Sequence, residues 1–271
     1  MGKNRLGQKI LDFYAQRYQD LAGVPKLEPY PSIGEMLAYL ATVPDYVFSL
    51  YGFAREPLKE KVSEAEKKEL LERCMQDGQH YGETILEQYP GMAPSQIAHA
   101  LGLQVLRPEM PHKGSQVVFA DFEEPRTIRV YQNTIRHANE TIQQESLQSF
   151  FDGINLEEVL IAHELFHTIE MLNKDTIFTL NHKIVLWHIG SFKYTSSLPS
   201  LREITAMRFA KTLTGLPFSP YLLEVFFTYS YNQDAGGSLY NEIKRLAANV
   251  PDSHGARAES KNCRFVKHVG Q

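Results

Sequence analysis

Leu160-Ile161-Ala162-His163-Glu164-Leu165-Phe166-His167 places two histidines four residues apart inside an apolar run. On an α-helix this spacing stacks the two imidazoles one turn apart on a single face. Two imidazoles so placed can hold one Zn²⁺, with Glu164 beside them positioned to take a proton from water. The pattern arises by accident in roughly one chain of this size in fifty, so the flanking sequence has to decide.

Working outward, Asn155-Leu156-Glu157-Glu158 reads as an N-cap followed by carboxylates in the first turn, where they complement the positive end of the helix dipole. No Gly or Pro interrupts Leu156 to Leu172, and Leu156, Val159, Leu160, Ile169 and Leu172 recur near helical spacing. Ile161, Ala162, Leu165 and Phe166 surround the histidines, so the middle of the helix is predicted to be buried. Stacked imidazoles in a buried helix need a reason. A metal supplies one; two separately satisfied core histidines are the bland alternative.

A catalytic zinc takes three protein ligands and keeps one position for water. Thr168–Lys174 lacks the Gly and His of the longer metzincin motif. The next candidate is Glu203, in Ser200-Leu201-Arg202-Glu203-Ile204, a segment that Pro199 and Ser200 open as a helix and Gly215 closes. From spacing alone, Glu203 is equally an inward-facing ligand or the partner of Ser200 in a capping box. Glu170 shares a helix face with His167 and is a rival ligand, a carboxylate behind the site, or a solvated one. His182 and His188 are further rivals in an apolar, strand-like stretch.

These residues together resemble the ImmA/IrrE family of small zinc peptidases. Ser95-Gln96-Ile97-Ala98-His99-Ala100-Leu101-Gly102-Leu103-Gln104-Val105 is similar to the family's short helix running through a Leu-Gly turn into a strand. Thr127-Ile128-Arg129-Val130-Tyr131 resembles the strand before the motif helix, and Glu203-x-x-Ala206-x-x-Phe209-Ala210-x-x-Leu213 the helix that follows it. The resemblance spans about residues 93–214 and favours Glu203 as third ligand. Phe166 stands where the family usually has Gly, and the connection from His167 to Glu203 is longer than usual there. The resemblance implies a zincin-like α+β core with a small sheet beside the motif helix. It also implies a protein or peptide substrate, such as a transcriptional regulator.

The implied mechanism is hydrolysis of a peptide bond: His163, His167 and Glu203 hold Zn²⁺, Glu164 is the proton acceptor, and Tyr194, His188 or His182 stabilises the oxyanion. A non-catalytic zinc-binding regulatory module, a zinc amidohydrolase acting on a small molecule, and a metal-free helical scaffold are the rival readings.

The 271 residues carry a net charge of −4, so no global basic field recruits nucleic acid. No apolar run is long enough to span a bilayer, and residues 6–21 are amphipathic rather than signal-like. Cys74 and Cys263 lack zinc-finger or redox spacing and read as reduced thiols, hence a cytoplasmic expectation. Three regions are expected: a helical region 1–90 covering the core, the metallopeptidase core 91–215, and a helical extension 216–271. Within them the punctuation predicts helices at 63–87, 94–101, 139–151, 219–231 and 238–249, and strands at 103–107, 116–121, 127–131, 176–180 and 184–194.

Overall fold

The first helix of the computed structural model, α1 (Ile33–Leu40), starts at Ser32, whose side chain and that of Glu35 cap each other's backbone. The structure describes residues 28–109, 118–190 and 192–250; the expected amphipathic stretch 6–21 and Cys263 lie outside them. The further helices are α2 (Asp45–Phe53), α3 (Glu64–Gln88), α4 (Pro94–Ala100), α5 (Gln132–Gln144), α6 (Leu156–Leu172), α7 (Phe178–Asn181), α8 (Pro199–Thr214), α9 (Tyr221–Tyr231) and α10 (Gln233–Ala248). Among the described residues the strands are β1 (Gln104–Leu106), β2 (Ala120–Glu123), β3 (Thr127–Val130), β4 (Ile184–Ile189) and β5 (Phe192–Ser196). The architecture is α+β, dominated by helix, with two small sheets. No described helix is long and apolar enough to cross a membrane.

The larger sheet has the order β1-β3-β2, with β1 parallel and β2 antiparallel to β3. Ile128 and Val130 point from its centre into a core shared with Ile161, Ala162, Leu165 and Phe166 of α6 and Phe209 and Ala210 of α8. Because α6 is covered on several sides, its apolar residues run around its circumference, as a buried helix requires. Helix α3 lies against α8 at very short range. A Cβ on Gly78 would come within 2.6 Å of the Thr205 carbonyl oxygen, and one on Gly82 within 2.7 Å of Thr212, so only glycine admits this approach. A second core joins α1 and α2 to α9 and α10, so segments from the two halves of the chain interleave.

Several elements depart from the sequence reading. The helix expected at 139–151 begins at Gln132 and stops at Gln144, because Thr134, Ala138 and Thr141 form its buried stripe and Ser146 turns left-handed at φ 56°. The strand expected at 116–121 is paired over Ala120–Glu123, where register with β3 continues up to the tight connection; residues 116–117 are not described. The strand expected at 176–180 is instead the single turn α7, whose Thr179 is buried. The run 184–194 is not one strand but the hairpin β4–β5, broken at Gly190 with φ 59°. Helix α10 starts at Gln233, five residues earlier than expected, because the Asn232 side chain accepts from Ala235 N–H.

Candidate metal centre

Asn155 fixes the start of α6 by accepting from the N–H groups of Glu157 and Glu158 at 3.1 and 3.3 Å. Two turns later His163 and His167 face the same direction, their ring centroids 5.5 Å apart. Helix α8 runs alongside and brings Glu203 between them. His163 Nε2 is 3.3 Å from Glu203 Oε2, and His167 Nε2 is 3.8 Å from Glu203 Oε1. Among the described residues this is the one such group, its three ligand atoms all within 4.8 Å of one another. The even choice left by spacing is resolved at Ser200: its N–H and hydroxyl both bond to Glu56, and Glu203 turns to the imidazoles.

Glu170 is fully buried and stands behind His167 rather than among the converging atoms. Its Oε2 accepts from His167 Nδ1 at 3.1 Å and from Arg202 Nε at 2.8 Å, while its Oε1 accepts from the Thr179 hydroxyl. Burial works against its charge, but the hydrogen bond from His167 and the charges of His167 and Arg202 win and hold Glu170 below the usual carboxylate range. An ionised Glu170 makes Nδ1 the protonated nitrogen of His167 and leaves Nε2 facing Glu203. Glu170 thus ties one turn of α6 to α7 and, through Arg202, to the first turn of α8.

Electrostatics sharpen the arrangement. Burial opposes charge on His167, yet the hydrogen bond to Glu170 and the charges of Glu203, Glu170 and Glu164 raise it to about 8. Burial likewise opposes charge on Glu203, but the two imidazoles and Arg202 hold it at about 2. Glu164 is shifted up, chiefly by burial, with the imidazoles pulling the other way.

The donor set suits zinc. A tetrahedral site with bonds of 2.0–2.2 Å separates neighbouring ligand atoms by about 3.4 Å, and the separations of 3.3 and 3.8 Å bracket that value. Among the described residues the buried Nδ1 of His163 has no hydrogen-bond partner, while its Nε2 faces Glu203. No family model, curated protein or solved structure matches this chain.

The three residues expected to serve the oxyanion lie on the connection between α6 and α8. Tyr194 is half exposed on β5 and stacks on Trp187 at 5.4 Å, and His188 pairs with Lys193 across the hairpin. His182 packs on Phe178 at 5.1 Å, and its buried Nε2 has no partner among the described residues. A small open hollow lined by Asp45, Ser49, Arg208, Lys211 and Tyr221 contains none of the clustered residues. The chemistry follows the donor set, not this hollow. Three contributors escaped the sequence reading: Glu56, Thr179 and Arg202. Glu56 and Arg202 act over 144 and 32 residues and Thr179 over nine, and only Arg202, adjacent to Glu203, carried a local hint.

The raised pKa of His167 gives a pH prediction. In the metal-free chain, pairing stabilises the charged imidazole, so its contribution to stability is complete below pH 6.5 and is lost as pH rises through about 8. A metal needs Nε2 deprotonated, so the proton competes with it below about pH 8. Apparent zinc affinity, measured by competition with a chromophoric chelator, is expected to fall up to about tenfold per pH unit below that point. An affinity that is flat from pH 8 to pH 6 would contradict the placement of His167 in the site.

Proposed function

We propose that this protein is a zinc-dependent peptidase. The observation that carries the reading is the convergence of His163, His167 and Glu203 with Glu164 set beside the imidazoles on the same helix. Two imidazoles and one carboxylate leave a tetrahedral ion one open position, as hydrolytic centres require. Zinc, when bound, polarises the scissile carbonyl and makes water a competent nucleophile near neutral pH. Glu164, one residue along α6 from His163, takes the proton of the attacking water and returns it to the departing amine. Its burial and upward shift match that role, since a base working near neutrality needs a pKa above that of a solvated carboxylate.

A peptide substrate is favoured by β2. It is one of the two edge strands of the sheet, it packs against α6, and among the described residues no other strand pairs with its outer side. An extended chain can add to such an edge by main-chain hydrogen bonds. On this reading the larger sheet, α6 and α8 would serve as a zincin-like core, and the resemblance to ImmA/IrrE peptidases extends the proposal to a regulatory protein as substrate.

The test is metal removal and return. Protein treated with a chelator is expected to lose cleavage of a lysate-derived peptide library, and one equivalent of Zn²⁺ to restore it. Cleavage that persists in chelated protein shown to be zinc-free would refute the proposal, and zinc uptake without any cleavage would favour the non-catalytic module.

A further inference from the structure

The helix that delivers Glu203 has no side-chain cap from its own N-cap residue, because Leu198 offers no acceptor. One of its free N–H groups, that of Ser200, is met instead from far away in the sequence. Glu56, in the turn after α2, is 1 % exposed. Its Oε2 accepts from Ser200 N–H at 3.1 Å and from the Ser200 hydroxyl at 2.8 Å, across 144 residues of chain, and its Oε1 accepts from Leu58 N–H at 3.2 Å. A carboxylate at this position satisfies orphan donors and complements the helix dipole. Glu203 stands one turn further on, so the seating of this first turn sets where its carboxylate meets the two imidazoles. Arg202, in the same turn, is held to Glu170 at 2.7 Å.

We propose that Glu56 is a positioning residue for the metal centre: by fixing the N-terminus of α8 it sets the approach of Glu203 to His163 and His167. The inference rests on the zinc reading above. Glu56 is not a ligand and touches no reacting atom. Its effect is on ligand geometry, and through it the N-terminal helices, which share the Phe53–Leu71–Leu201 core with α8, are coupled to the site.

The experiment compares Glu56→Gln with Leu239→Ala, which removes a buried side chain from the core between the N- and C-terminal helices. Zinc affinity and the visible spectrum of the Co²⁺-substituted protein are read for both, alongside thermal midpoints. Glu56→Gln is expected to lower zinc affinity about tenfold or more and to change the cobalt spectrum, whereas Leu239→Ala lowers the midpoint but keeps both wild-type properties. Wild-type affinity and spectrum in Glu56→Gln would overturn the proposal, and so would an equal affinity loss in Leu239→Ala, which would make the effect one of general stability. Should Glu56→Gln fail to fold, Ser200→Ala carries the test, and an unchanged affinity and spectrum there overturns the proposal. A wild-type chain that binds no zinc overturns the zinc reading itself and this inference with it.

Discussion

Glu164→Gln is expected to leave zinc bound at one per chain while turnover falls by a factor on the order of a hundred or more. The substitution is nearly isosteric and keeps both imidazoles and Glu203 in place, so the donor set is untouched. What it removes is the group proposed to accept the proton from water. Because burial raises the Glu164 pKa, the wild-type activity should also decline on acidification as this carboxyl takes up a proton. Zinc per chain and cleavage rate, measured on the same preparation, separate the two effects. Full cleavage by Glu164→Gln would rule out the mechanism even with zinc retained.

Removing a proposed ligand should do the opposite. His163→Ala, His167→Ala and Glu203→Ala are each expected to weaken zinc on the order of a hundredfold or more, with activity lost in parallel. At zinc a thousand times the wild-type Kd, binding adds about 4 kcal/mol to stability. A hundredfold weaker site at the same zinc retains about 1.4 kcal/mol. The difference amounts to a melting midpoint lower by about 5 °C for a chain of this size. Without zinc the gap between wild type and Glu203→Ala should narrow, because Ser200 is held by Glu56 and no helix cap is lost with Glu203. A Glu203→Ala variant that keeps wild-type zinc affinity would remove it from the site.

The elements that carry the donor residues were legible because their signals are local. Helix α6 is an uninterrupted run behind an Asn cap, and α8 is bounded by Pro199 and by Gly215, which adopts φ 67°. The His163–His167 pair follows from helix geometry alone. What sequence left undecided was the facing of Glu203, because Ser200-x-x-Glu203 is compatible with both a cap and a ligand. The deciding contact, Glu56 to Ser200, spans 144 residues and has no local signature. Thr176-Ile177-Phe178-Thr179 has strand propensity but folds as a turn, where the Thr179 hydroxyl reaches the buried Glu170. The hairpin β4–β5 was hidden by a continuous apolar pattern in which Gly190, the one turn signal, carried too little weight. Local periodicity locates helices; it does not say which buried carboxylate finds which donor.

On the proposed reading His163, His167 and Glu203 share one ion. Anomalous diffraction at the zinc edge from crystals of the zinc-loaded protein tests it most directly. The expected result is a single peak about 2.0–2.2 Å from His163 Nε2, His167 Nε2 and a Glu203 carboxylate oxygen, with Glu170 still on His167 Nδ1. A peak elsewhere, or a Glu203 carboxylate turned away from the two imidazoles, would contradict the account.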